Sequence, residues 1–225
     1  FTGYETRECS ATITGIVCEG KSITALKEGE EGDVILDVTP FYAESGGQVG
    51  DTGVFDAVDG NAHVTNTTKP VNGLHAHCVK VNRGVLRVGD KVDARVDAAL
   101  RQSTENHHTA THLLQAALQN VLGSHVHQAG SFVAPDRLRF DFTHFEAIGA
   151  DRLQDIERLV NSYIRCDAPV QVDFKPIEEA RAAGAMALFG EKYADIVRVV
   201  SVPGISLELC GGTHTKTTGV IGYCK

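Results

Sequence analysis

The sequence predicts an α+β protein: a small β-barrel-like lobe over residues 1–100, then a two-layer α/β lobe over residues 101–225. Three observations predict it. Short β-rich runs separated by Gly, Asp and Asn fill the first hundred residues, helical apolar periodicity sets in only after Ser103, and the paired His and Cys motifs that suit a metal both follow that change.

In the first lobe, the runs ATITGIV (11–17), DVILDV (33–38) and KVDARVD (91–97) read as strands of an antiparallel sheet or small barrel. The segment from Phe41 to Asp51 breaks their alternation with a glycine-rich turn, where the backbone can take positive φ and approach a ligand closely. Such a turn also serves as an ordinary hairpin connection. In the second lobe, Ala110, Leu114, Ala117, Leu118 and Val121 recur at helical spacing, which predicts a helix over Glu105–Leu122 with Ser103 or Thr104 as N-cap and Gly123 as stop. A second helix fits 151–165, with Leu153, Ile156, Val160 and Ile164 in one stripe, and a third fits 177–188. Strands are expected at 138–142, 170–174, 196–202 and 206–209.

Composition narrows the function classes. At 225 residues and 42% hydrophobic the chain can bury a substantial core. It has no run of about 18 apolar residues, and its start lacks the basic and apolar regions of a signal peptide, so no membrane partner is expected. Six cysteines without regular spacing argue against a disulfide framework and for a reducing, cytoplasmic home. Phe1 in place of an initiator Met, with Met186 as the single methionine, suggests a piece of a longer chain. The net charge of -8 gives nucleic acid no global attraction, so any RNA contact must come from local basic residues such as Arg83, Arg87, Arg137, Lys175 and Lys192.

The chemistry concentrates in two short motifs. His108 and His112 lie four apart on the first predicted helix, so both imidazoles project from one face about one turn apart. Alone, such a pair is compatible with a solvated helix face. The second motif, Cys210-Gly-Gly-Thr-His214, flanks a flexible turn with a thiol and an imidazole directly after a predicted strand. The four side chains form a Cys/His3 set suited to tetrahedral Zn²⁺, either as a staple of the lobe or as a catalytic ion. In a metalloprotease HExxH helix the residue after the first histidine is the glutamate base; Thr109 stands there, which excludes that mechanism. His107, beside the helix motif, is a candidate to orient a ligand.

His108-Thr-Ala-Thr-His112-Leu-Leu, Cys210-Gly-Gly-Thr-His214 and the Thr39–Asp51 segment TPFYAESGGQVGD together resemble the editing domain of the alanyl-tRNA synthetase family. Ala183–Tyr193, Thr218–Gly222 and Phe1–Tyr4 resemble it too, so the likeness spans nearly the whole chain. The family is similar to freestanding proteins that deacylate mischarged alanine tRNA and to the threonyl-tRNA synthetase editing domain, which usually carries proline inside the second motif.

The resemblance implies an aminoacyl-tRNA deacylase that removes serine or glycine from the 3′ end of tRNA(Ala), as one part of a parent alanine–tRNA ligase. It implies Zn²⁺ held by His108, His112, Cys210 and His214. It implies that the turn with Gly46, Gly47 and Gln48 faces the metal and the aminoacyl ester, and that Thr39 lines the amino-acid pocket. The rest of the parent synthetase and the tRNA are the implied partners. Two alternatives remain: a freestanding trans-editing deacylase, and a zinc-stapled module that only binds the tRNA acceptor stem. No ATP site or class-defining synthetase motif is visible, so the chain is not expected to activate alanine.

Overall fold

The computed structural model describes residues 1–186 and 194–225, which form two compact units, Phe1–Gln102 and Ser103–Lys225.

The first unit is a closed barrel. Its strands are β1 (Glu8–Cys18), β2 (Lys21–Ile23), β3 (Ala25–Lys27), β4 (Glu31–Leu36), β5 (Gly53–Ala57), β6 (Gly60–Thr68), β7 (Ala76–Arg87) and β8 (Lys91–Val96). The antiparallel path β1-β4-β7-β6-β5-β8 closes through β1–β8 pairing, with β2 added on β1 and β3 on β7. Alternation produces this lobe directly. In β8, Val92, Ala94 and Val96 point inward while Lys91, Asp93 and Arg95 are exposed, the period-2 pattern of a sheet wetted on one face. Ile13, Ile16, Val34, Phe55, Val64 and Val79 fill the interior, as side chains must in so narrow a barrel.

The second unit contains α1 (Ala98–Leu122), whose first turns precede the unit boundary, then β9 (Gln128–Val133), β10 (Leu138–Phe142), α2 (Ala150–Arg165), β11 (Gln171–Pro176), α3 (Ile177–Ala182), β12 (Ile196–Val202) and β13 (Ser206–Leu209). β9 and β10 form a hairpin; β11, β12 and β13 form an antiparallel sheet. Leu113, Ala117 and Leu118 of α1 pack with Ile156, Val160 and Ile164 of α2 and with Val202 of β12.

Several expectations need correction. α1 begins seven residues before Glu105, capped by Asp97, whose Oδ1 accepts the N–H groups of Ala99 and Leu100 at 3.0 Å each. The early turns escape the periodicity because their buried residues are polar: Arg101, Thr104 and Glu105. Leu153, counted in the α2 stripe, is 52% exposed. α3 stops at Ala182 because Gly184 takes φ +84, a C-terminal left-handed stop; residues 187–188 of its expected range lie outside the described residues, as does Lys192. β9 is absent from the expected strands, since QAGSFV lacks alternation. No described helix is long and apolar enough to cross a membrane.

Candidate functional site

In the second unit, α1 presents His108 and His112, and the segment leaving β13 presents Cys210 and His214. One ligand atom from each lies within 4.8 Å of all the others. Cys210 Sγ is 3.4 Å from His108 Nε2 and 3.3 Å from His214 Nε2. A tetrahedral ion bonded at about 2.3 Å to sulfur and about 2.1 Å to nitrogen holds such atoms about 3.6 Å apart, so the donor set fits a metal of this size. The group could bind a metal ion as sequence spacing predicted.

The electrostatics favour lone pairs. Burial, then the charges of neighbouring histidines and Arg198, push His108 and His214 well down from the ordinary imidazole range, and burial followed by Arg198 pushes His112 to about 3. Neutral imidazoles are the form that ligates.

Three residues to which the sequence gives no part in the site shape this cluster. Thr109 Oγ1 lies 3.1 Å from His214 Nδ1, an arrangement that fixes Nε2 as the free nitrogen when Nδ1–H donates to the hydroxyl. Thr215 N–H also reaches Thr109 Oγ1, at 3.2 Å, so the threonine that excludes a protease base ties the helix to the second motif. Arg198 Nη1 donates to the carbonyls of Cys210 at 2.7 Å and Gly212 at 2.9 Å, holding the Cys-x3-His turn in shape. Glu208 Oε2 stands 3.3 Å from His112 Nε2, while Ser206 Oγ donates to its Oε1 at 2.9 Å; burial pushes this carboxyl up to about 7. Strand β13 could have drawn attention to Glu208, a carboxylate two residues before Cys210 near the strand's end.

His107 takes another position. Its Nδ1 lies 2.7 Å from the Ala134 carbonyl, toward the β9–β10 hairpin, so the neighbour bonded to the His/Cys cluster is Thr109, while His107 braces that hairpin. One turn beyond His112, the buried Gln115 directs its Nε2 at Met186 Sδ, 3.4 Å away, and its Oε1 has no partner among the described residues.

In the first unit, the 39–51 segment is a closed loop. Tyr42 N–H donates to Asp51 Oδ2 at 2.6 Å, and Asp51 N–H donates to Tyr42 O at 2.9 Å. The tip is a two-residue hairpin turn: Ser45 and Gln48 exchange backbone bonds at 3.2 and 3.0 Å, with Gly46 at φ +59 and Gly47 at φ +85. Those bonds occupy the Ser45 and Gln48 N–H groups, so the exposed backbone donors of the tip are Gly46 and Gly47. The Gln48 side chain is fully buried. A buried guanidinium, Arg101, grips the loop's base: it pairs with the Asp51 carboxylate and donates to Pro40 O at 2.9 Å and Gly3 O at 2.8 Å. Thr39 is 4% exposed, and its Oγ1 accepts Phe41 N–H at 3.1 Å.

Comparison with known proteins gives this geometry a context. Residues 1–100 match the family described as tRNA synthetases class II (A), and residues 197–225 match the threonyl and alanyl tRNA synthetase second additional domain. The whole chain is 53% identical over 225 residues to an alanine–tRNA ligase of Geobacillus thermodenitrificans, covering 26% of it. Ninety-nine per cent of the chain aligns at 51% identity with an alanine–tRNA ligase of Thermus thermophilus, again 26% of that protein, and all of it aligns at 45% with that of Chloroflexus aurantiacus, also 26%. The chain thus spans about a quarter of the length of these relatives. With full-length similarity at this level and the second additional domain in place, the chain belongs to the alanine–tRNA ligase family, as the segment that carries the His-x3-His and Cys-x3-His motifs.

Proposed function

We propose that this chain edits tRNA(Ala), hydrolysing the ester that links serine or glycine wrongly to the 3′ end. The observation that carries this reading is the buried cluster of His108, His112, Cys210 and His214, in a chain similar throughout to alanine–tRNA ligases. An alanine pocket cannot exclude the smaller glycine by size and rejects one added hydroxyl poorly, so accuracy calls for a second, hydrolytic site.

An aminoacyl ester is already an activated acyl group, and its hydrolysis needs positioning and charge stabilisation more than a covalent nucleophile. Zinc held by the four residues would supply Lewis-acid polarisation. Thr109 and Arg198 keep His214 and the Cys210 turn in the geometry that binds it. The turn of Gly46, Gly47 and Gln48 is proposed to face the aminoacyl ester, with the Gly46 and Gly47 N–H groups as donors to the developing oxyanion, and Thr39 is proposed to meet the amino-acid side chain.

Incubating the chain with serine-charged tRNA(Ala), with and without a chelator, tests this. Chelator-sensitive release of serine is expected; tRNA binding without deacylation would make the chain a zinc-stapled RNA-binding module instead.

A further inference from the structure

Thr39 has a buried partner that decides what its hydroxyl can offer. His77, fully buried on β7, spans two acceptor-bearing neighbours: Nδ1 lies 2.8 Å from the Val34 carbonyl on β4, and Nε2 lies 2.8 Å from Thr39 Oγ1. The rings of Phe41 and Phe55 pack edgewise on the imidazole, with centroids 5.3 and 5.2 Å away, and hold it in this orientation.

The polarity of the chain follows from chemistry. A carbonyl oxygen only accepts, so Nδ1 must carry the hydrogen that bonds Val34 O. In a neutral imidazole Nε2 is then a bare acceptor, and the proton of the Thr39 hydroxyl must point at it. Burial pushes His77 down to about 4, which keeps the ring neutral near pH 7. The Phe41 N–H already occupies one lone pair of Oγ1. A hydroxyl has one hydrogen and two lone pairs, so Thr39 retains a single lone pair and no donor.

We propose that His77 is a positioning residue for side-chain specificity: by holding the Thr39 proton, it makes Thr39 an acceptor only, which rewards an amino acid that brings a hydroxyl donor. The inference rests on the reading of Thr39 as part of the editing pocket. Serine can donate to the remaining lone pair, whereas alanine leaves it unmet. A hydroxyl free to rotate would adapt to either situation and discriminate less. Glycine has no side chain to read, so its selection against alanine does not pass through this relay.

The test compares kcat/KM for seryl-, glycyl- and alanyl-tRNA(Ala) in the wild-type chain, His77→Phe, Thr39→Val and the double variant. The net value of one buried hydrogen bond corresponds to about a three- to tenfold fall in the seryl-to-alanyl ratio for His77→Phe. The glycyl-to-alanyl ratio should stay constant, and His77→Phe should change nothing further in the Thr39→Val background. An unchanged seryl-to-alanyl ratio, or equal falls in both ratios, overturns the proposal. His77→Gln, whose amide can donate and accept, serves if the phenylalanine variant does not fold, and should hold the ratio above that of Thr39→Val; a ratio equal to that of Thr39→Val counts against the relay. Independently of activity, ¹⁵N NMR of the His77 ring should report the Nδ1–H tautomer, and an Nε2–H tautomer overturns the relay. A wild-type chain that releases no serine would instead refute the editing reading, with the tautomer still deciding the relay.

Discussion

The two units bury their polar groups in opposite ways. In the first, donors meet acceptors: Arg101 meets Asp51, Thr39 meets His77, and His77 meets the Val34 carbonyl. In the second, electron-pair donors meet each other, with His108, His112, Cys210 and His214 converging and Glu208 at their edge. A matched network is complete by itself and holds backbone in place. A cluster of bases buried together repels its own protonation and asks for a cation, which is the physical difference between a scaffold and a metal site.

Removing the cation should give the largest effect. Elemental analysis of the chain should find about one zinc, and Cys210→Ala should lower occupancy and deacylation together. A fully active, metal-free preparation would break the contrast between the units. Arg101→Met comes next, because it leaves the Asp51 carboxylate buried without its partner, a change that costs about 3–5 kcal/mol. Urea unfolding measures it, and a loss under about 1 kcal/mol would show that the loop base does not depend on the pair.

The sequence made the second network legible and the first nearly silent. The four clustered residues stand out because His-x3-His on a helix and Cys-x3-His after a strand are rare spacings of chemically marked residues. Arg101, Asp51 and His77 are ordinary polar residues in print, and only the folded contacts show that they are buried. The same ambiguity hid the start of α1, where buried Arg101, Thr104 and Glu105 read as a polar surface. The barrel strands were legible as a class through alternation, but their pairing order, with β4 beside β7 and β1 closing on β8, depends on contacts distant in sequence.

Acid should expose the first unit's network. The folded pKa of His77, about 4, lies below the roughly 6.5 of an unfolded imidazole, so its contribution is complete above that value and is lost as pH falls through about 4. The shift corresponds to about 3 kcal/mol. Stability measured from pH 7 to pH 4 should therefore fall less steeply in His77→Phe than in the wild-type chain; parallel curves would mean that the buried ring is not held neutral.

The smallest effects belong to the surface, where charges pair in water. Arg137 Nη1 lies 2.6 Å from Asp136 and its guanidinium 5.3 Å from the Phe132 ring centroid, Arg87 lies 2.8 Å from Asp59, and Lys175 lies 3.5 Å from Asp173. Exposed pairs of this kind contribute about 0–1 kcal/mol to stability, yet each sets a carboxylate beside a cation that a phosphate would otherwise use. With a net charge of -8 as well, the chain should bind tRNA weakly, and added salt should weaken binding further. Arg137→Gln should reduce affinity and lower the slope of log K against log salt by about 1 if it meets a phosphate, whereas Asp136→Asn should tighten binding by freeing the same guanidinium. Filter binding across a salt series measures both. Tight binding with little salt dependence, or two variants that move affinity in the same direction, would show that RNA recognition does not run through these paired surface cations.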